Sequence, residues 1–198
     1  STAGNAQTGT VAIGRDALTA LTAGAGNVAI GYNAGSALTN SHNNTIIGYN
    51  AFDAANNGMS NNVVIGYQAG GAMADQTTSD DNVIIGMEAG TGGTGEVKGV
   101  VVIGRDAMKT TGSNDQEGTI AIGSTALTAL QAGVANLAIG YGAMAATTTG
   151  EHNVSIGYRS LISGTGNSYN TVLGYEALAS AAASGMNNNV VIGWHAGN

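Results

Sequence analysis

Asn27-Val28-Ala29-Ile30-Gly31-Tyr32-Asn33-Ala34-Gly35 recurs, with small changes, along the whole chain. An apolar triplet, a glycine, two polar or aromatic residues and an alanine return from Val11-Ala12-Ile13-Gly14 to Val190-Val191-Ile192-Gly193. The anchor glycines are Gly14, Gly31, Gly48, Gly66, Gly86, Gly104, Gly123, Gly140, Gly157, Gly174 and Gly193, spaced 17 to 20 residues apart. Self-similarity at such a period marks a stacked repeat architecture. The unit is too short for a βαβ crossover, and its triplets are too short for helices. Parallel stacking of coil on coil remains. The pattern therefore predicts an all-β fold, a parallel β-solenoid (β-roll) of eleven 17–20-residue coils spanning 1–198 as one domain. At about 4.8 Å per coil the rod would be roughly 50 Å long.

Each column of the repeat has a physical task. Ile precedes the glycine in ten copies and Leu173 in the other. Two places earlier stands a residue such as Val11, Thr45, Ile120 or Leu137. Positions i and i+2 share one face of a strand, and these two columns are expected to fill the coil interior. The glycine would turn the chain through a conformation or a close approach closed to other residues. Three places on, alanine stands in ten copies and Ser160 in the exception, which suggests a tight inner corner. Ahead of the strand stand Asn27, Asn44, Asn62, Asn82, Asn136, Asn153, Asn170 and Asn189. Stacked asparagines can form an amide ladder and tolerate turn conformations.

The middle residues of the triplets are Ala12, Ala29, Ile46, Val64, Ile84, Val102, Ala121, Ala138, Ser155, Val172 and Val191. With the flanking columns inside, these would face outward as a continuous apolar stripe. Strands apolar on both faces are normally buried on both. Two covers are open: further copies of the chain, or the chain's own return segment through Leu18, Leu21, Leu38, Leu127 and Leu130. The first predicts a homotrimer.

Composition supports this reading and narrows the functions. The 198 residues include 33 glycines and no proline, and 9% are charged. Proline cannot donate a ladder hydrogen bond, so a chain made of stacked strands and tight turns excludes it. A net charge of −7 with five Lys and Arg argues against nucleic acid as a partner. No apolar stretch is long enough for a membrane-inserted helix. Cysteine is absent, so there is no disulfide framework or thiolate metal site.

The Asn27 to Gly35 pattern resembles repeats of bacteriophage tail fibres. Its Val-Ala-Ile-Gly core is also similar to the signature of trimeric autotransporter adhesin heads, which are trimers of left-handed parallel β-rolls. The coils here are longer than the adhesin unit, which favours the phage side. The resemblance implies a non-enzymatic fibre segment on a virion appendage or cell surface, mediating host-surface attachment as a homotrimer. The alternatives are a bacterial surface adhesin head and a purely structural extracellular filament. Neither end of the chain carries a polar cap, so a section of a longer fibre is expected.

Candidate binding residues are few. After the glycine come Tyr32, Tyr49, Tyr67, Tyr141, Tyr158, Tyr175 and Trp194, with a gap at Met87, Arg105 and Ser124. Aromatic faces can carry sugar rings, so a cell-surface glycan is one candidate partner. Stacking of the tyrosines on one another is the other reading. Eight of the twelve acidic residues, Asp75, Asp80, Asp81, Glu88, Glu96, Asp106, Asp115 and Glu117, lie between Gly66 and Gly123. Carboxylates on adjacent coils can hold Ca²⁺, but neither an EF-hand loop nor a calcium-binding nonapeptide occurs, and solvated surface charge is the expectation. His42, His152 and His195 stand apart and do not suggest a ligand set. Asn43 and Asn153 open glycosylation sequons in turn columns of the repeat. No catalytic residue, cofactor or metal site is expected.

Overall fold

The computed structural model describes residues 7–55, 58–71, 73, 79–93, 95–112, 114–180 and 185–198. Its strands are β1 (Val11–Ile13), β2 (Val28–Ile30), β3 (Thr45–Ile47), β4 (Val63–Ile65), β5 (Val83–Ile85), β6 (Val97–Lys98), β7 (Val101–Ile103), β8 (Gln116–Glu117), β9 (Ile120–Ile122), β10 (Leu137–Ile139), β11 (Val154–Ile156), β12 (Thr171–Leu173) and β13 (Val190–Ile192). All but β6 and β8 form one eleven-stranded parallel sheet, in chain order. The register never slips: Val11 faces Val28, Ala12 faces Ala29 and Ile13 faces Ile30, and so on to Leu173 and Ile192. Strands β6 and β8 pair with each other, also parallel. Among the described residues there is no helix. The chain is a parallel β-solenoid.

Hydrogen bonds between coils extend beyond the strands. In the turns, the Asn33 amide donates to the Arg15 carbonyl and the Gly35 amide to the Ala51 carbonyl, at 3.0 and 2.9 Å. The turn backbone is thereby satisfied without water, as buried backbone must be. The anchor glycines hold φ between 125° and 144°. From Gly14 to Gly174, an added Cβ would strike the carbonyl oxygen of the anchor glycine in the next coil. Both glycine arguments made from the sequence hold.

The faces of the strand are the reverse of the expectation. Ala29, Ile46, Val64, Ile84, Val102, Ala121, Ala138, Ser155 and Val172, the middle residues, are fully buried. The columns expected inside point out: Ile13 is 57% exposed and Ile192 64%, while most interior members are half-buried. The cover for the middle residues is the return segment, with Leu18, Leu21, Leu38, Leu127 and Leu130 in the same core cluster. A coil whose strand has only three residues admits one of their side chains to its interior, and that is the middle one. The stripe expected to need a partner is therefore the core.

In several coils side-chain volumes inside this core are traded between two columns. The partner of the middle residue stands four places after the glycine. Small middle residues Ala121, Ala138 and Ser155 meet Leu127, Met144 and Leu161, whereas Val64 and Ile84 meet Gly70 and Gly90. A Cβ on Gly90 would lie 3.3 Å from the Ile84 side chain. Where one coil carries Ile46 and Phe52 together, Gly35 and Gly70 make room in the coils on either side. Leu127, Met144, Leu161 and Leu178 sit at φ 49° to 53°, in left-handed backbone that costs about 1–2 kcal/mol per residue. Burying such a side chain returns about 1.5–3 kcal/mol, so packing holds the strained turn. Ser155 and Ser160, both exceptions in their columns, hydrogen-bond Oγ to Oγ at 2.6 Å across this interior.

Candidate functional site

The outward residues of the strands give the solenoid one long apolar surface. Val28, Thr45, Val63, Val83, Val101, Ile120, Leu137 and Val154 form one ladder, half-buried, and Ile47, Ile65, Ile85, Ile103, Ile122, Ile139 and Ile156 form the second. Side chains at i and i+2 are about 7 Å apart and strands about 4.8 Å apart, so eleven strands make a strip on the order of 50 by 12 Å, or about 600 Å². That is at the upper end of the patches, about 300–600 Å², found on monomeric proteins. The second of these ladders repeats one β-branched residue, isoleucine, in register from coil to coil.

Beyond the glycines runs the aromatic column. Tyr32 stacks on Tyr49 with ring centroids 5.0 Å apart, and Tyr49 on Tyr67 at 5.5 Å. The second stack places Tyr141 on Tyr158 at 5.4 Å and Tyr158 on Tyr175 at 5.0 Å. Planes differ by 9° to 14°. Tyr49 and Tyr158 have both ring faces covered by neighbours, so their exposed parts are edges and hydroxyls. The Arg15 guanidinium sits 5.7 Å from the Tyr32 ring centre and caps that stack. At the far end His195 tilts against Tyr175 and meets Trp194 edge-on. Met87, Arg105 and Ser124 keep the stacks apart, and Tyr141, beside Ser124, is 52% exposed. Tyr169 lies in a different column, stacked on His152 at 5.1 Å. The sequence reading did not single it out, because it stands just before Asn170 and not after a glycine.

Buried asparagines tie the coils together on the opposite side of each strand. Asn44 Nδ2 donates to Asn27 Oδ1 at 3.1 Å and to the Met59 carbonyl at 2.9 Å. The same oxygen accepts the Asn44 backbone amide. The pattern runs on through Asn62 and Asn82, and again from Asn136 through Asn153 and Asn170 to Asn189. The ladder expected from the repeat is present. Asn153, being buried within it, is no glycosylation acceptor, whereas Asn43 is exposed and donates to Asn61. Val100 and Thr119 interrupt the ladder, and β6 and β8 pair beside that interruption.

The same middle coils carry the charge. Lys109 binds Glu88 and Asp106, the latter at 2.9 Å, and Arg105 approaches Asp106 at 3.3 Å. The hydrogen bond that Lys109 donates to Glu88, with a second to Asp106, raises the Lys109 pKa above its ordinary value. Asp80 accepts the Ser60 amide at 2.6 Å and Asp115 the Glu96 amide at 3.1 Å, so both brace adjacent coils. Asp75 lies outside the described residues. Asp53, Gln68, Gly71, Glu88 and Thr91 line an open cleft of about 310 Å³, in which burial raises the Asp53 pKa. Among the described residues, no three His, Asp or Glu converge as metal ligands, and no helix is long and apolar enough to cross a membrane. His42 accepts the Ala25 amide, His152 stacks and His195 approaches Glu176; the three do not meet. No protein-family model, curated protein or solved structure matches the chain.

Proposed function

We propose that the chain is a non-enzymatic segment of an extracellular fibre, of the kind phages use for host attachment, built as eleven coils and assembled as a homotrimer. The outward double ladder of Val and Ile carries this reading. Its roughly 600 Å², with the exposed tyrosines at its border, approaches the ~800 Å² each partner contributes to a standard stable interface. Three copies with this face turned toward a common axis, in register, would cover one another's ladders. The side of the molecule that associates is thus the Val and Ile side, not the middle residues of the triplets. Host contact would fall to surface features such as the exposed Tyr141 face and the charged middle coils, where three copies multiply weak binding to a glycan. A bacterial adhesin head would use the same association. A purely structural filament would polymerise end to end.

Light scattering on the purified chain tests the assembly. A trimer is expected, and Ile85→Lys with Ile103→Lys should give a monomer with unchanged circular dichroism. A wild-type monomer would overturn the proposal, and concentration-dependent filaments would shift it to the structural reading. Glycan-array binding lost with Tyr141→Ala, but not with Tyr169→Ala, would support the attachment role.

A further inference from the structure

We propose that the two tyrosine stacks are sites of oxidative cross-linking, joining neighbouring coils of one chain through dityrosine. Three observations converge. The rings lie nearly parallel at 5.0 to 5.5 Å, so each ring is held beside the corresponding ring of the next coil. Tyr49, Tyr67, Tyr141, Tyr158 and Tyr175 are 40% to 52% exposed, which admits an oxidant and leaves the rings room to tilt into bonding distance. Each is carried on a backbone locked to its neighbour, as in the Asn50 to Tyr32 and Arg159 to Tyr141 hydrogen bonds, so the rings stay paired between encounters with oxidant. Holding two reactants in place in this way replaces a collision by a unimolecular step.

The chemistry balances with a peroxide as oxidant. Two phenols each give up one electron and the phenolic proton, and the two phenoxyl radicals combine at their ortho carbons to form one C–C bond. Each ortho hydrogen then leaves as a proton, and each oxygen regains one as the ring becomes aromatic again. The net loss is two protons and two electrons, which reduce one hydrogen peroxide to two waters. The products would be Tyr32–Tyr49 or Tyr49–Tyr67 in the first stack, and Tyr141–Tyr158 or Tyr158–Tyr175 in the second. Each bond would tie one coil covalently to the next. Met87, exposed in the same column, would compete for oxidant as the sulfoxide.

The test treats the full chain with a haem peroxidase and hydrogen peroxide, then follows dityrosine fluorescence and maps linked peptides by mass spectrometry. Links within one chain between the named pairs are expected, with a yield that does not fall on dilution. Tyr49→Phe with Tyr158→Phe removes the centre of both stacks and should abolish them, since the remaining rings stand two coils apart. Tyr169→Phe, whose ring meets His152, should leave the yield unchanged. Links only between chains, a yield that falls with dilution, or full yield in the double variant would each overturn the proposal.

Discussion

Ile84 and Gly90 occupy one slice of the interior, and the pair shows how a coil can balance its contents. Gly90→Leu alone should cost about 3 kcal/mol, from overpacking and from placing a branched side chain in left-handed backbone. Combined with Ile84→Ala it recreates the Ala121 and Leu127 arrangement, and most of the loss should be recovered in urea midpoints. A double variant as unstable as the sum of the singles would refute the trade. Ser155→Ala with Ser160→Ala gives the all-alanine corner already present at Ala138 and Ala143, so a near-neutral double is expected. A coupling of about 1 kcal/mol in the double-mutant cycle is the corresponding measurement. These residues also show where reading the sequence stopped short. Alternation separates two faces of a triplet but does not say which is inside when both are apolar. The deciding sign is a correlation between columns seven residues apart or less, present in some coils: Ser155 deviates together with Ser160, and Gly70 and Gly90 accompany the larger Val64 and Ile84. The anchor glycines, by contrast, were fully legible, because their conformation and their crowding are both local to the repeat.

At the level of the element, the asparagine ladder was equally legible, while its interruption was not. Eight asparagines in one column announce stacked amides, but two-residue strands such as Val97–Lys98 and Gln116–Glu117 have no alternation to detect. Asn153→Ala should cost about 3 kcal/mol, because it removes the hydrogen bonds that Asn153 gives to the Asn167 carbonyl and accepts from the Asn170 amide within the buried ladder. Asn189→Ala, at a half-buried end of the ladder, should cost about 1 kcal/mol, and thermal melts of the two compare them. Two exposed ion-coupled groups make a pH prediction. Lys109 is raised by the hydrogen bonds it donates to Glu88 and Asp106, and Tyr169 by the charge of Glu151. A group whose pKa is higher folded than unfolded stabilises the fold below its unfolded value, about 10 for both residues, and loses that contribution as pH rises through the folded value. Melting temperature should therefore fall above about pH 10, and Lys109→Met should flatten part of that fall.

Across the whole molecule, every contact between strands joins neighbours in the sheet, so stability is passed along one dimension. Hydrogen exchange should accordingly be slowest in β4 to β10 and fastest in β1 and β13, whose outward residues are the most exposed. Uniform protection from end to end would contradict this. The legible part of the candidate surface was its column of tyrosines; its apolar ladders were read as core because the interior capacity of a coil appears only in three dimensions. The unbroken register has one more outcome. Deleting residues 141 to 157 joins Gly140 to Tyr158 and returns every column to its place, so the shortened chain should fold with one strand fewer. Deleting a single residue from a strand should not be tolerated, since it turns the buried middle position outward. Length in this protein is thus a quantity counted in whole steps of about 4.8 Å, and a lineage could lengthen or trim it by duplication and loss as one sets a gauge.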